Sequence, residues 1–355
     1  MLVERSPASR VARLLRRAVL PLLAAVLLAA CGSSSSDDEV ASAGSGATGG
    51  PGTFPATVEH RYGTTTVERQ PKRIVVVGLT EHDIVLQLGF KPIATTKWYA
   101  DQPYGVWPWA RQLLGDAKPT VLKTDDGYQW DKILALRPDL IIGTNSGMTR
   151  RDYARFSKMA PTLPSVKGGT DYFSRWDQQT ELIAAALGKP EEGRRIVADV
   201  KRRYAEVAEQ HPEWKGKTAT FTQNGFFEGK IYTYPPGLNT EFLTYLGFRI
   251  NPALERLAEK PGEQVGLSSE RLDVLDADVA VFATEKPADV AALRKVPTFR
   301  RLAAVRDHRA VYTSATLSGA IYAMTPLSML YVLEHLTPLL EQASKGRGAD
   351  GVTGP

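Results

Sequence analysis

Short runs of valine and isoleucine alternate along the chain with stretches in which apolar residues recur every three or four positions. The runs predict buried β-strands, and the spaced residues predict amphipathic helices. This alternation is typical of α/β layers with mainly parallel strands. The clearest predicted strands are residues 74–77, 140–142, 218–222, 279–282 and 311–312.

An internal repeat divides the predicted fold in two. Seven positions between Asp131 and Ile142 match seven positions between Glu270 and Val281, at a constant offset of 139 residues. A second match joins two segments that each run from Thr-Glu to Leu-Gly-Phe, at 80–90 and 240–248. Leucine-rich helix-turn-strand units look alike in any α/β protein, so a single match means little. The shared order of the two matches favours duplication and two similar lobes.

Two helices are predicted to connect these lobes. The first covers residues 176–187 and ends at Gly188. The second begins at Pro190, which suits a first helical turn. Its apolar stripe comprises Ile196, Val200, Tyr204 and Val207. At about 1.5 Å per residue this helix is about 30 Å long, enough to cross from one small lobe to the other.

These features set the predicted domain boundaries. We expect an N-terminal lobe, connecting helices that include the long one, a C-terminal lobe and a glycine-rich disordered tail, at residues 54–175, 176–212, 213–343 and 344–355.

The N-terminus predicts export. Its first 30 residues carry five arginines and one glutamate, followed by an apolar run at 18–30. That run is shorter than the roughly 20 residues of a membrane-spanning helix and fits a signal peptide at 1–30. The segment accounts for four of the five net positive charges, so the remainder is nearly neutral and a nucleic-acid partner loses its main support. Arg16-Arg17 leaves the choice of export pathway open.

Cys31 is the only cysteine, which excludes a disulfide within the monomer. The segment from Leu28 to Cys31 resembles the bacterial lipobox, whose cysteine receives a diacylglycerol after cleavage. The alternative is an ordinary secretory signal with an incidental thiol. Residues 31–53 are rich in serine and glycine and read as a flexible tether. We therefore expect a mature chain that is lipid-anchored at Cys31 to the extracytoplasmic face of the bacterial cell membrane.

Aromatic residues mark the predicted ligand site. Five of them lie in a short segment together with proline, glycine and aspartate, namely Trp98, Tyr99, Tyr104, Trp107 and Trp109. Buried core rings are the usual explanation for aromatics, but this composition favours a loop that presents rings to a ligand. Other candidates follow predicted strands, where ligands bind in open α/β sheets: Tyr128, Asn145, Arg150, Arg151, Phe226 and Tyr234. Taken singly, each of these also suits a surface or packing role.

Metal and catalytic sites are not indicated. The five histidines are scattered, and only His82 has an acidic residue on each side. We expect this trio, from Glu81 to Asp83, to be solvated on a first helical turn. The sequence has no nucleophile elbow, no phosphate loop and no Gly-x-Gly-x-x-Gly motif that opens a helix, and Ser146 is a weak candidate nucleophile. We expect no enzyme, no direct metal site and no cofactor, so that ferric iron enters only in chelated form.

The motifs together resemble the helical-backbone, or class III, substrate-binding proteins of ABC importers, most closely the ferric-siderophore-binding lipoproteins. The likeness is carried by segments at 28–31, 73–78, 107–109, 130–143, 160–162 and 269–272. It implies two Rossmann-like lobes with mainly parallel sheets joined by a backbone helix. It also implies a monomer that binds a ferric siderophore between the lobes. Haem or a corrinoid in the same fold, or a tethered hydrolase, remain as alternatives.

The resemblance further implies that an acidic residue on each lobe docks to arginines of the dimeric ABC permease. By position these are Asp131 and Glu270, which the internal repeat also aligns. The family usually has glutamate at the first place, so Asp131 is a departure with a shorter reach. An acid in a first helical turn also stabilises the helix by about 0.3–1 kcal/mol without any partner.

Overall fold

The computed structural model describes residues 52–172, 174–223, 225–226, 229–260 and 263–355. The predicted signal peptide, Cys31 and most of the predicted tether lie outside the described residues.

The N-terminal half opens with an antiparallel hairpin and continues as alternating strands and helices. Its elements are β1 Ala56–His60, β2 Gly63–Val67, β3 Ile74–Val76, α1 His82–Gln87, β4 Ala94–Thr96, α2 Pro108–Arg111, β5 Thr120–Leu122, α3 Trp130–Ala135, β6 Leu140–Ile142, α4 Arg150–Phe156 and β7 Thr162–Leu163. Five strands form a parallel sheet in the order β5-β4-β3-β6-β7. All residues of β3 and β6 are buried, which explains their uninterrupted apolar sequences.

Two helices follow, as predicted: α5 Trp176–Ala186 and α6 Pro190–Gln210. Helix α6 has 21 residues, with proline in its first turn followed by two glutamates that complement the helix dipole. Its buried stripe consists of Gly193, Val197, Val200 and Tyr204. Most of its other positions are polar, so one face packs on the molecule and the opposite face meets solvent.

The C-terminal half contains the second sheet. Its elements are β8 Thr218–Thr222, β9 Lys230–Thr233, α7 Glu241–Thr244, β10 Arg249–Ile250, α8 Pro252–Leu257, β11 Val265–Ser268, β12 Val279–Phe282, α9 Pro287–Lys295, α10 Pro297–Arg301, α11 Ala303–Arg306, β13 Ala310–Thr313, α12 Ala315–Ala323, α13 Pro326–Ser344 and β14 Val352–Thr353. The parallel part has the order β10-β8-β12-β13-β14. Strands β9 and β11 extend it in antiparallel fashion from the end of β8.

The first match of the repeat has a structural counterpart. In each half a short helical turn leads to a buried central strand, α3 to β6 and a 3₁₀ turn at Leu272–Leu275 to β12. The aspartate before each strand has the same task. Asp139 accepts hydrogen bonds from the backbone N–H groups of Lys72 and Arg73, and Asp278 accepts one from the N–H of Thr218. Each carboxylate thus ties its strand to the start of the neighbouring strand.

The second match is shifted. Both helices end with a glycine of positive φ, Gly89 and Gly247. The next N–H group then bonds back five residues, from Phe90 to Val85 and from Phe248 to Leu243. Counted back from this common end, Glu241 corresponds to Asp83 and not to Glu81, because α7 is two residues shorter than α1.

The C-terminal segment is ordered, and the predicted disordered tail is wrong. Strand β14 pairs in parallel with β13, and the N–H of Gly348 donates to the carbonyl of His308 at 2.7 Å. Asp350 also pairs with Arg294 at 2.6 Å. The prediction relied on low hydrophobicity, but the open edge of β13 supplies backbone hydrogen bonds that do not depend on side-chain type.

Candidate ligand-binding cleft

Two cavities share Trp98 as a lining residue. The cavity on the N-terminal side has a volume of about 500 Å³ and is lined by Val77, Leu79, Trp98, Thr124, Gly127, Tyr128, Ser146, Gly147 and Tyr172. The cavity on the C-terminal side has a volume of about 580 Å³ and is lined by Trp98, Tyr99, Gln223, Tyr234, Asn239, Gln264, Glu285 and Tyr322. Both halves contribute residues to the lining of the second cavity, and the two cavities share Trp98. They therefore belong to one cleft between the halves.

A third cavity of about 720 Å³ continues the cleft along the C-terminal half. It shares Gln223 and Gln264 with the second cavity. The remaining lining residues are Gly225, Phe226, Tyr232, Asp289 and Ala292.

The lining residues follow the carboxyl ends of parallel strands. In the N-terminal half, Val77 follows β3, Trp98 follows β4, Thr124 follows β5 and Ser146 follows β6. In the C-terminal half, Gln223 follows β8 and Glu285 follows β12. This is the edge at which open α/β sheets bind ligands, and here the edges of the two sheets share one cleft.

Tyr128 forms a rigid wall of the N-terminal cavity. Its hydroxyl donates to the carbonyl oxygen of Ser146 at 2.8 Å, and its ring meets Phe156 edge-on at 4.9 Å. Burial raises the pKa of the Tyr128 phenol, which therefore stays protonated at neutral pH. Tyr128 therefore offers its ring to the cavity, while its hydroxyl is engaged with Ser146.

Trp98 and Tyr99 form the centre of the cleft. Their rings meet edge-on at 4.7 Å, and Tyr99 lies 6.0 Å from the ring of Tyr322. Burial, together with the negative charge of Glu285, raises the pKa of the Tyr99 phenol. Both residues are partly exposed, so their rings remain available to a ligand.

Tyr234 and Gln264 close the far wall. The ring of Tyr234 stacks on Phe221 at 5.2 Å, and its hydroxyl accepts a hydrogen bond of 2.6 Å from Gln264. Burial raises the pKa of Tyr234 to about 12. Gln264 also donates to the side-chain oxygen of Gln223 at 2.9 Å. Phe226, another predicted residue, lines the third cavity.

Two of the predicted aromatics lie elsewhere. Trp107 is 3% exposed and Trp109 is 9% exposed, and their rings stack at 5.1 Å within the main hydrophobic core. Pro108 starts helix α2 between them and turns the chain back into the interior. Both tryptophans therefore line none of the three cavities described above.

The predicted polar residues of the first half are also outside the cavity walls. Arg150 and Arg151 are exposed at the start of α4, and the Arg150 guanidinium lies 4.9 Å from the ring of Tyr62. Asn145 is 1% exposed beneath the wall, with its side-chain amide donating to the Thr80 hydroxyl at 3.1 Å. Their positions after a predicted strand do not show whether these side chains point into the cleft, because that depends on tertiary packing.

The acidic segment from Thr80 to Asp83 is buried, and its predicted solvation is wrong. Glu81 accepts hydrogen bonds from the backbone N–H groups of Thr80 and Asn145, at 3.0 and 2.5 Å. Burial raises the pKa of the Glu81 carboxyl in spite of these bonds. Within the described ranges, no group of three or more histidine, cysteine, aspartate and glutamate side chains is arranged to hold a metal ion.

Asp83 connects the two halves. Its Oδ2 atom accepts hydrogen bonds from the Trp109 indole and from the hydroxyl of Thr325, both at 2.7 Å. Thr325 is the N-cap of α13 in the C-terminal half. Burial raises the pKa of Asp83. The bonds explain why the chain tolerates a carboxylate that is only 2% exposed.

Sequence reasoning missed the uncharged polar residues of the second half. Gln223, Asn239, Gln264 and Tyr322 line the cleft, as does the carboxylate of Glu285. Gln223 directly follows β8, so the rule that identified Tyr128 also applied to it.

Asp131 and Glu270 are both exposed. Asp131 lies in the first turn of α3, where the chain leaves the carboxyl edge of the first sheet on its way to β6. Glu270 lies two residues after β11, the outer of the two strands that extend the second sheet, in the connection to β12. The cleft lies at these same edges.

Two α/β halves linked by a long helix around an open, aromatic-lined cleft define a solute-binding protein. The family model described as periplasmic binding protein matches residues 74–317. The probable siderophore-binding lipoprotein YfiY of Bacillus subtilis is 30% identical over 240 residues, which cover 65% of this chain and 69% of YfiY.

Solved structures agree with this match. A periplasmic solute binding protein from Mycobacterium smegmatis has a TM-score of 0.76 and 36% identity, covering 81% of this chain and 98% of that one. PiaA, an iron uptake ABC transporter substrate-binding protein from Streptococcus pneumoniae solved with ferrichrome, has a TM-score of 0.66 and 26% identity, covering 82% and 99%.

The chain belongs to the periplasmic binding protein family. The predicted resemblance and fold class are confirmed. The family consists of extracytoplasmic solute-binding proteins and not of enzymes. In the part of the chain that the structure describes, no helix is long and apolar enough to cross a membrane.

Proposed function

We propose that this chain is the lipid-anchored binding component of an ABC importer, which captures a ferric siderophore in the cleft and delivers it to the membrane permease. The observation that carries the proposal is the cleft at Trp98, to which both halves contribute aromatic and hydrogen-bonding groups. Adjoining cavities of about 500 and 580 Å³ suit a compact organic chelate.

The chemistry of the lining supports a chelate over a bare ion. The rings of Trp98, Tyr99 and Tyr128 offer flat apolar surface to an organic backbone, and the amides of Gln223 and Gln264 offer hydrogen bonds to its oxygens. A bare ferric ion would need clustered protein ligands, which the described residues do not provide. The similar protein YfiY is named a probable siderophore-binding lipoprotein, and PiaA was solved in complex with ferrichrome.

Closure over the ligand is expected to be modest. Helix α6 links the two halves as one stiff element of 21 residues, and the hydrogen bond that Thr325 donates to Asp83 holds α13 to α1. Movement is therefore concentrated at the open rim, where the ligand enters. ATP is hydrolysed by other subunits of the importer.

Asp131 and Glu270 are the proposed contacts with permease arginines. Their exposure and their position at the cleft edges of the two sheets support this role. Glu270→Ala should leave ligand affinity intact and abolish uptake, whereas unchanged uptake in the Asp131→Ala, Glu270→Ala double variant contradicts the assignment. If each acid only stabilised its first turn, the variants would lower stability and spare uptake.

Tryptophan emission tests the ligand class. The purified mature domain is titrated with ferric hydroxamate, ferric catecholate, haem and cobalamin. Saturable quenching at micromolar or lower concentration by an iron-loaded chelator supports the proposal, and Trp98→Leu should remove most of the signal. A response to haem or cobalamin alone favours the alternative cargo.

A tethered hydrolase finds little support in the geometry. The hydroxyl of Ser146 donates to the carbonyl oxygen of Gly143 at 2.7 Å and is not paired with a histidine ring. Ester or peptide turnover without binding of any iron complex would nevertheless overturn the proposed function.

A further inference from the structure

The C-terminal cavity of the cleft is an aromatic cage with a carboxylate. Four rings line it, from Trp98, Tyr99, Tyr234 and Tyr322. The other lining groups are three amides and the carboxylate of Glu285. Tyr99 and Glu285 line the same cavity, and burial together with the charge of this carboxylate raises the pKa of the Tyr99 phenol.

Positive side chains are absent from the described lining of all three cavities. The N-terminal cavity has an uncharged lining, and the third cavity adds the carboxylate of Asp289. Two basic residues that stand near lining residues in the chain are paired with carboxylates. Lys97 pairs with Asp101 at 2.5 Å, and Arg175 pairs with Asp177 and Glu241 at 2.8 and 3.1 Å.

The charge balance discriminates among iron chelates. Hydroxamates are singly charged bidentate groups, so three of them neutralise ferric iron, whereas catecholates and citrate leave a net negative complex. A polyanion in this cleft would lose hydration and meet carboxylates without any basic side chain to compensate. An ammonium group gains from the faces of tyrosine and tryptophan rings and from an adjacent carboxylate.

We propose that the cleft is specific for an uncharged or cationic ferric trihydroxamate, and that the cage of Trp98, Tyr99, Tyr234 and Tyr322 with Glu285 receives a protonated amine of the ligand. This inference rests on the proposed function and specifies its substrate class. The amine enters the C-terminal cavity, and the neutral iron centre lies toward Trp98 and the N-terminal cavity.

A matched pair of ligands tests the cage. Ferrioxamine B carries a free protonated amine, and its N-acetylated form has the same iron centre without that charge. We expect ferrioxamine B to bind about tenfold more tightly at low salt, with the advantage shrinking as salt is added. Ferric dicitrate, an anion, should bind more weakly than either.

Glu285→Gln separates the charge from the shape of the cavity. In this variant the advantage of the free amine over the N-acetylated form should fall below about threefold, and a thermal unfolding midpoint close to that of the unmodified protein reports an intact fold. Glu191→Gln, which changes an exposed carboxylate on α6, should retain the full advantage.

The outcomes distinguish this inference from the proposed function. Equal affinity for the two ferrioxamines in the unmodified protein, or tighter binding of ferric dicitrate, overturns the inference and leaves siderophore capture standing. Failure of both ferrioxamines together with binding of a ferric catecholate also overturns the inference alone. Failure of every iron complex, the ferric catecholate included, overturns the proposed function and the inference with it.

Discussion

Each half of the molecule has a first helix whose carboxylate binds the other half, but the two contacts differ in burial. Asp83 on α1 is 2% exposed and accepts neutral hydrogen bonds from Trp109 and Thr325. Glu241 on α7 forms an ion pair of 3.1 Å with Arg175, and those side chains are 16% and 41% exposed. The repeat places the two carboxylates at corresponding positions.

The comparison shows that two corresponding carboxylates can both bind the other half of the molecule through different interactions, one through buried neutral hydrogen bonds and the other through an ion pair. A buried carboxylate with neutral donors contributes strongly only while every partner is present, since removing one leaves desolvated polar groups behind. A partly exposed ion pair contributes less, because water and salt also stabilise its separated charges. The Asp83 contact should therefore contribute more to the free energy of unfolding than the contact at Arg175, whose contribution should depend on salt concentration.

The largest expected effect comes from Asp83→Ala. The change leaves the Trp109 indole and the Thr325 hydroxyl buried without their acceptor, so we expect the free energy of unfolding to fall by about 3 kcal/mol. Urea unfolding followed by circular dichroism measures it. Asp101→Ala, at an exposed carboxylate paired with Lys97, is the control and should leave the free energy of unfolding nearly unchanged. A loss below about 1 kcal/mol for Asp83→Ala would remove the contrast between the two contacts.

The pH dependence of the same site is the second test. Burial raises the folded-state pKa of Asp83 above its unfolded value, so the folded state binds the proton more tightly. The stability of the unmodified protein relative to Asp83→Asn should therefore fall as pH rises from about 4 through the raised pKa. Unfolding measured in parallel across this range gives the difference. A relative gain on raising the pH would show that the carboxylate is stabilised, and not strained, in its charged form.

The smallest expected effect comes from Arg175→Ala. This change removes the pairs with Glu241 and Asp177, which should lower the free energy of unfolding by about 1 kcal/mol or less. The loss should shrink further at high salt, whereas the loss in Asp83→Ala should not. Denaturation at two salt concentrations checks both statements. A salt-independent loss as large as that of Asp83→Ala would mean that the two contacts are equivalent.

Much of the fold follows from local pattern. Strands β3, β6, β8 and β12 coincide with uninterrupted apolar runs, and α6 coincides with a long amphipathic stretch after Pro190. Such signals are local because burial of a strand or a helix face imposes a period of two or 3.6 on adjacent residues. The repeat and the family resemblance rest on these same local patterns in their order.

The site was predicted less completely. Trp98 and Trp107 have the same chemistry and stand nine positions apart, yet one is at the centre of the cleft and the other is in the core. Gln264 was overlooked because its partners, Gln223 and Tyr234, are far from it in the chain. Side-chain type does not reveal which loops of two separate sheets meet.

The sequence by itself determined the α/β elements, the internal repeat, the connecting helix and the family, because each of these depends on the order of residues along the chain. Tertiary structure alone decided which rings line the cleft, why the acid at Asp83 is buried, and where the last strand pairs. Those properties arise when segments that are distant in the chain pack together, and Asp83 and Thr325 are 242 residues apart.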